Sequence, residues 1–215
     1  MAEEGKMDCN PNLYLVILFV VVVLVYQLTE IHYFVRIFVC FVRARYLKSK
    51  LHILGTAEYD SRCTTTDVDY LLFHMNNGRY LRELDFARTD FFQRTGLWSE
   101  IRGRGGQVYM SASSARYRRF IRLFAAFRVQ TRIVYWDEET LYTEHRFVTP
   151  DDGFVRAIIY GQQKVVQCDL QKVMDELLSR WADKVEVPPK PKCPEEIRLW
   201  IESSRVSSLK LRTKS

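Results

Sequence analysis

The chain has 215 residues, of which 47% are hydrophobic and 13% aromatic, and its formal net charge is +6. This composition excludes a disordered or fibrous protein, because it supplies enough apolar surface for the core of one ordinary domain with appendages. The positive charge invites a nucleic-acid hypothesis, but the sequence has no concentrated basic stripe, no zinc-ligand spacing and no aromatic ribonucleoprotein motif. We therefore expect no nucleic-acid partner.

The cysteines are scattered along the chain, and no two of them form a Cys-x-x-Cys pair. Their number is odd, which argues against a disulfide framework and favours a reducing compartment. The same spacing predicts no metal site. The residues concerned are Cys9, Cys40, Cys63, Cys168 and Cys193.

The first predicted element is a hydrophobic helix near the N-terminus. Residues 9–29 carry no charged side chain, and at 1.5 Å per residue they extend roughly 31 Å, about the thickness of a bilayer's hydrocarbon core. This pattern predicts a single membrane span over about residues 10–29. A cleaved signal peptide is the alternative, and it would make the protein secreted. The acidic residues before the run and the lack of a small-x-small cleavage site argue against that alternative.

Basic residues follow the predicted span, and the positive-inside rule then places the rest of the chain in the cytosol. Residues 1–50 are accordingly predicted to be a membrane anchor with a basic juxtamembrane segment. The rather short span, without an obvious sorting signal, favours the endoplasmic reticulum as the membrane. The basic residues are Arg36, Arg43, Arg45, Lys48 and Lys50.

Residues 51–182 are predicted to form one domain. A strand candidate over 55–64 comes first, followed by a helix from 77 to about 95 that ends at Gly96. Its apolar residues recur at spacings of 3, 4 and 7, which predicts one buried face. That face comprises Tyr80, Leu81, Leu84, Ala87, Phe91 and Phe92.

Strand patterns dominate after a glycine-rich loop, and their connections have the character of hairpins in an antiparallel meander. A second helix and then residues 183–215, a proline-rich linker with a short last helix, complete the chain. A strand, a long helix and several antiparallel strands predict an α+β fold in which a curved antiparallel sheet wraps around the central helix. The loop spans 103–106, the strands 107–118, 127–136, 141–148 and 154–166, and the second helix 169–181.

Two carboxylates, a histidine and two asparagines precede or open the predicted central helix: Asp67, Asp69, His74, Asn76 and Asn77. A helix start presents unpaired backbone N–H groups and the positive end of a dipole, which polarise a carbonyl group, such as that of a thioester, and hold an oxyanion. A carboxylate beside it can activate water as a general base or attack as a nucleophile. The pattern therefore favours acyl-transfer chemistry.

The same stretch resembles the hotdog-fold thioesterases related to 4-hydroxybenzoyl-CoA thioesterase, and among them the thioesterase superfamily member 6 family. The motifs are Asp-x-Asp at 67–69, His-Met-Asn-Asn at 74–77, Tyr-Leu-Arg at 80–82 and Asp-Phe-Ala-Arg at 85–88, within a resemblance over about 51–200. It implies a hotdog domain that acts on acyl-CoA thioesters without metal or cofactor. It also implies a dimer, or a higher oligomer, with active sites at the subunit interface.

Position by position, the resemblance implies Asp69 as the catalytic carboxylate, with Asp67 close behind and Asp85 as an acidic position inside the helix. One departure stands out. Related enzymes usually place four steps between the second Asp and the His, whereas Asp69 and His74 are five apart, and productive geometries tolerate displacements of only roughly 0.5 Å. The alternatives from the residues themselves are turn formation for Asp67 and Asp69 and ordinary helix ion pairing for Asp85.

His74, Asn76 and Asn77 match the His-x-Asn-Asn element at the helix start, and simple capping or loop hydrogen bonding is the alternative for each. Candidates for substrate binding are Tyr80 and a group of arginines suited to the phosphates of CoA. Those arginines also fit a solvated strand face or a contact with anionic lipid. They are Arg116, Arg118 and Arg119, with Arg122 nearby.

Two functions follow as hypotheses. The first is a membrane-anchored enzyme that hydrolyses fatty acyl-CoA to free fatty acid and CoA, with the bilayer and a second subunit as partners. The second is a catalytically inactive protein of the same fold that binds acyl-CoA or lipid and acts in membrane lipid homeostasis. The changed spacing between Asp69 and His74 keeps the second hypothesis open.

Overall fold

The computed structural model describes residues 11–182 and 189–212. The chain divides after Val39 into two compact units, each described here by itself. Helix α1 spans Pro11–Thr29, and among the described residues it alone is long and apolar enough to cross a membrane, a property that a signal sequence shares. The predicted N-terminal apolar helix is thus confirmed. Glu30, with φ of 46°, ends α1, and helix α2 spans Ile31–Val42 before a π-helical turn at Arg43–Leu47.

The second unit is built on a five-stranded antiparallel sheet. Its strands are β1 Ala57–Arg62, β2 Gln107–Tyr117, β3 Ala126–Trp136, β4 Thr140–Val148 and β5 Val155–Val166. They lie in the order β1-β3-β4-β5-β2. Strands β3, β4 and β5 form the predicted meander, and Gly153 in the last turn has a positive φ, 63°. The predicted hairpin between β2 and β3 is wrong. Strand β1 occupies that edge of β3, so β2 pairs with β5 at the far side of the sheet.

Helix α3, Asn77–Thr95, is the predicted central helix and lies against one face of the sheet. It begins at the Asn76 cap and ends at Gly96, whose φ of 79° suits glycine. Its buried face packs against Phe127, Val129 and Phe147 of the strands, and each fully buried large side chain contributes roughly 1.5–3 kcal/mol. Most of the predicted face is confirmed, but Leu81 is exposed.

A short helix that the sequence pattern missed, α4 (Leu97–Gly103), follows α3 directly. The pattern offered no periodicity over so few residues. Leu97 and Ile101 are fully buried and pack with helix α5, Leu170–Ser179, which opens at the capping side chain of Asp169. These elements close one end of the core.

The last helix, α6 (Glu195–Arg212), is longer than predicted. Its Ile197 is buried against Val134 and Tyr142 of the sheet. Because the faces of a strand alternate, these residues lie on the side opposite α3. The predicted proline-rich linker falls partly outside the described residues.

Candidate active site

Asp67 is buried in the loop that leads to α3. One carboxylate oxygen, Oδ2, accepts hydrogen bonds from the backbone N–H of Thr64 at 2.8 Å and from its hydroxyl at 2.6 Å. The backbone carbonyl of Asp67 accepts the N–H of Asn76 at 2.8 Å. Asp67 therefore ties the loop to the start of the helix, which is the turn-forming alternative, and its carboxylate has little access to solvent.

Asp69 lies in a tight turn with His74. The backbone N–H of Asp69 donates to the carbonyl of His74 at 2.9 Å, and Leu72 adopts φ of 56°. This left-handed residue lets the chain accommodate the five-step spacing while still pairing the two ends of the turn. Residues 70–73 therefore form a closed turn between Asp69 and His74.

The carboxylate of Asp69 is held as an anion. Partial burial raises its pKa, but backbone N–H groups of Phe73 and His74 donate to Oδ1 at 3.2 and 3.5 Å, and the nearby His74 ring adds a favourable charge interaction. The net effect lowers the pKa of Asp69 below its ordinary value. Its Oδ2 lies 3.9 Å from Nε2 of His74. An ionised carboxylate next to an imidazole can accept a proton from water.

The His74 ring is fixed from two sides. Its Nδ1 lies 3.2 Å from the carbonyl oxygen of Met75, and its face stacks on Phe120 with ring centroids 5.4 Å apart. Donation from Nδ1 to that carbonyl leaves Nε2 as the nitrogen that faces Asp69. The structure therefore brings the predicted carboxylate and the predicted histidine together.

The two asparagines at the helix start differ in what they do. Oδ1 of Asn76 accepts the N–H of Gly78 at 2.9 Å, which is an N-cap. Asn77 is exposed, and its backbone carbonyl accepts the hydroxyl of Tyr117 at 3.1 Å. The N–H of Asn77 makes no hydrogen bond within the described residues, as expected of a first-turn donor. Asn77 thus presents a free backbone donor at the positive end of α3.

Asp85 lies farther along α3, roughly 12 Å from Asn77 at 1.5 Å per residue. Its carboxylate is partly exposed and lies 3.4 Å from Nη1 of Arg88, the helix pairing that its spacing allowed. Nη2 of the same Arg88 donates to Oε1 of Gln163 in β5 at 3.1 Å. Asp85 is therefore linked through Arg88 to Gln163 of β5.

The buried contacts of Gln163 were not predicted from the sequence. Nε2 of Gln163 donates to Oγ1 of Thr143 at 3.0 Å. Oγ1 lies 3.0 Å from Nε2 of His145, and Nδ1 of His145 lies 2.9 Å from Oγ1 of Thr131. Burial, followed by the charge of Arg88, lowers the pKa of His145 to about 3. The available signal was a set of polar residues at inward-facing strand positions, where a core normally places apolar ones.

The predicted substrate-binding residues do not form one group. Tyr80 is buried, with ring centroids 5.0 Å from both Tyr117 and Phe147, and burial raises its pKa to about 12. Arg116 points to the opposite face of the sheet from Tyr117 and lines a groove of about 360 Å³ with Trp200 of α6. In this single chain, Tyr80 has no exposed surface for a ligand and Arg116 lies away from α3.

Arg118 and Arg119 follow the end of β2 and both stack on Phe154, with guanidinium-to-centroid distances of 4.7 and 4.5 Å. The hydroxyl of Tyr117 binds the backbone of Asn77, so these arginines emerge from the strand next to the start of α3. Their substrate-binding role stays a prediction. No cluster of three or more His, Cys, Asp or Glu suited to a metal ion occurs within residues 11–182 and 189–212.

Comparisons with known proteins point in one direction. The Thioesterase-like superfamily matches residues 63–201. The chain is 38% identical over 193 residues to Protein THEM6 of Drosophila melanogaster, covering 90% of this chain and 96% of that protein. The fold is similar to the YbaW probable thioesterase of Escherichia coli, with a TM-score of 0.53 and 16% identity over 57% of this chain and 96% of that one. It is also similar to a hypothetical protein of Staphylococcus aureus in complex with CoA, with a TM-score of 0.53 and 15% identity over 69% and 96%.

Proposed function

This chain belongs to the thioesterase-like superfamily and, within it, to the THEM6 family, and we propose that it hydrolyses fatty acyl-CoA to a free fatty acid and CoA. The predicted hotdog fold is confirmed, and this fold with these relatives supports thioester hydrolysis in general. The observation that carries the finer proposal is the ionised Asp69 held beside His74 at the start of α3.

In the proposed reaction, Asp69 takes a proton from a water molecule whose oxygen attacks the thioester carbonyl carbon. The carbonyl oxygen becomes an oxyanion, which the free N–H of Asn77 and the dipole of α3 stabilise. Collapse of this intermediate re-forms the carbonyl and breaks the C–S bond. CoA leaves as a thiolate and takes up the proton, which regenerates the Asp69 carboxylate. Asp67 does not enter this scheme, because its carboxylate is buried and bonded to Thr64.

We assign CoA binding to Arg118 and Arg119, whose guanidinium groups suit phosphate oxygens. Both lie next to the start of α3, and a protein of the same fold has been solved in complex with CoA. Arg116 is not included, since its side chain lies on the opposite face of the sheet. CoA enters only as part of the substrate, and the proposed reaction uses no other cofactor.

We further propose a homodimer that pairs through β2. This strand bonds to β5 on one side, and no strand among residues 11–182 and 189–212 pairs with its other edge. An unpaired edge of 11 residues is a ready template for a second strand. Such pairing would bring the second subunit next to Tyr117 and the start of α3, as the family resemblance implies for the site.

For location, we propose that α1 anchors the protein in a membrane with the hotdog domain in the cytosol, and that this membrane is the endoplasmic reticulum. Its apolar stretch, Asn12–Thr29, supports the anchor. The basic residues that follow support the orientation.

One observation favours the second hypothesis, a protein that binds acyl-CoA without hydrolysing it. The carboxylate of Asp69 already accepts two backbone N–H groups of its own loop. Such bonds stabilise the anion and make it a weaker base. If they are retained when substrate binds, the site holds the thioester without activating water.

The test is steady-state hydrolysis by the full-length protein in detergent micelles, with acyl-CoA substrates of graded chain length. We expect Asp69→Asn to lower kcat by roughly 10²–10⁴-fold, the usual contribution of a general base. The matched control is Asp60→Asn, an exposed carboxylate of β1 paired with Arg128, which should leave kcat unchanged. If the wild-type protein binds acyl-CoA saturably without turnover, the proposed hydrolysis is wrong and the second hypothesis, binding without hydrolysis, holds.

A further inference from the structure

Two loops beside the candidate site expose a continuous set of large apolar side chains, here called the loop patch. It consists of residues 70–73, before α3, and residues 120–124, between β2 and β3. Soluble domains seldom expose several large apolar side chains in a row, and such surfaces mark interaction sites. The exposed fractions are 90% for Tyr70, 65% for Leu71, 64% for Leu72, 52% for Phe73, 45% for Phe120 and 59% for Phe124.

Backbone and ring contacts join the two loops of the patch. The backbone N–H of Leu123 donates to the carbonyl of Phe73 at 3.3 Å, and the rings of Phe73 and Phe120 lie 5.3 Å apart. Leu72 and Phe124 have φ values of 56° and 63°, which bulky residues rarely adopt. The two loops are thus bonded to each other while their apolar side chains face outward.

Two arginines border the loop patch. Arg62 donates to the carbonyl of Phe124 at 2.6 Å, and the guanidinium of Arg122 lies 6.0 Å from the ring centroid of Phe120. Both are exposed. Neither makes an ion pair with Asp or Glu in the part of the chain that the structure describes. The surface therefore combines apolar side chains with a positive rim that the protein itself does not neutralise.

We propose that the loop patch is a membrane-contact surface, which places residues 70–73 in the interfacial region of a bilayer leaflet that contains anionic lipid. Apolar and aromatic side chains enter that region, and arginines at its border contact lipid phosphates. A two-fold contact between two loop patches is disfavoured, because it would set one arginine rim against another.

The inference rests on the proposed membrane attachment. A span in the same chain would hold the domain near the bilayer, so that a weak second contact becomes effective. The consequence concerns substrate entry. His74 stacks on Phe120 of the patch, so the candidate site would open toward the lipid, where acyl chains partition.

The experiment uses the full-length protein reconstituted into phosphatidylcholine vesicles with or without phosphatidylserine. A fluorescent non-natural amino acid replaces Leu71 and, as the matched control, Leu211 of α6, whose exposed fractions are 65% and 71%. Quenching is measured with a nitroxide carried by the lipid and with iodide in the water. The Arg62→Glu and Arg122→Glu substitutions are then made together, with circular dichroism to verify folding.

We expect lipid-borne quenching at position 71 and little at position 211. It should increase with phosphatidylserine and fall about tenfold or more in the double arginine variant, as expected for two basic residues near an anionic surface. Equal quenching at both positions would overturn the proposal. Protection of position 71 from iodide without lipid-borne quenching would also overturn it, because a protein partner would then cover the patch. None of these quenching measurements requires turnover. Failure of the membrane-contact proposal can therefore be distinguished from failure of the proposed hydrolysis.

Discussion

Lys48 and Asp90 form an ion pair beside α3, with Nζ 2.6 Å from Oδ1 of a carboxylate whose side chain is only 2% exposed. Nη1 of Arg94 lies 3.4 Å from the other oxygen. Lys48 belongs to the basic segment that follows α1, where the sequence assigns its charge to membrane orientation. In the structure, it compensates a buried negative charge, so the segment is also part of the folded unit.

Lys48→Met should therefore lower the free energy of unfolding by roughly 1–3 kcal/mol, because it leaves Asp90 buried with Arg94 alone. The control is Lys50→Met, an exposed residue two positions away, for which we expect a change within about 0.5 kcal/mol. Urea unfolding of the full-length protein in micelles measures both. Equal effects of the two substitutions would show that the buried pair does not stabilise the fold.

Gly161 in β5 should not tolerate a larger side chain. A Cβ there would lie 2.9 Å from Oγ1 of Thr143 and 3.6 Å from Nε2 of His145, and so would displace the hydroxyl that bonds to that ring. We expect Gly161→Ala to destabilise the protein by roughly 1–3 kcal/mol. Gly103→Ala is the control, because nothing lies within 4 Å of its added Cβ. Thermal unfolding of both variants checks this prediction.

His145 should make stability depend on pH. Its pKa is lowered to about 3 in the folded protein, whereas an unfolded histidine titrates near about 6.5. Between these values the unfolded state binds the extra proton, so this contribution to stability is present above about pH 6.5 and is lost as pH falls toward 3. The slope is at most about 1.4 kcal/mol per pH unit. His145→Asn should flatten the dependence of unfolding on pH between 7 and about 5. Identical unfolding curves for His145→Asn and the wild-type protein would contradict the assignment.

The pKa of Asp69 predicts how the rate of acyl-CoA hydrolysis depends on pH in the acidic range. As a general base it must be ionised, and its pKa is held below the ordinary value, which is about 3.9. Activity should therefore be constant as pH falls through 6 and 5, and should decline only below about pH 4. Because the protein also loses stability in acid, initial rates must be measured within seconds of a pH jump. A decline that begins well above pH 4 would contradict the assignment of Asp69 as the base.

Asn77→Pro tests the oxyanion donor by removing one backbone N–H. Proline suits the first position of a helix, and Asn76 already has the extended backbone, φ −64° and ψ 139°, that a residue before proline requires. We expect kcat to fall by roughly 10²–10³-fold with little loss of stability. Asn77→Ala keeps the N–H and should keep the activity. Asn76→Ala, in contrast, should cost about 1 kcal/mol of stability through loss of the cap.

Sequence periodicity and local chemistry predicted several features well, because each depends on residues close in the chain. The limits of α3 follow from the cap at Asn76 and the left-handed Gly96, and the meander follows from alternating patterns joined by tight turns. The pairing of β2 was beyond local reasoning. It depends on β1 occupying the edge of β3, which is a contact between segments about 70 residues apart.

At the candidate site, the sequence alone determined which residues cluster before the helix and that their chemistry suits thioesters. Only the tertiary structure decided their separate roles. Asp67 and Asp69 are equivalent as neighbours in a motif, yet one carboxylate is buried against Thr64 and the other accepts loop N–H groups near His74. Likewise, nothing local links Arg88 to Gln163 or Thr131 to His145. Burial and hydrogen-bond geometry arise from packing between distant segments, so they become fixed only when the sheet closes around α3.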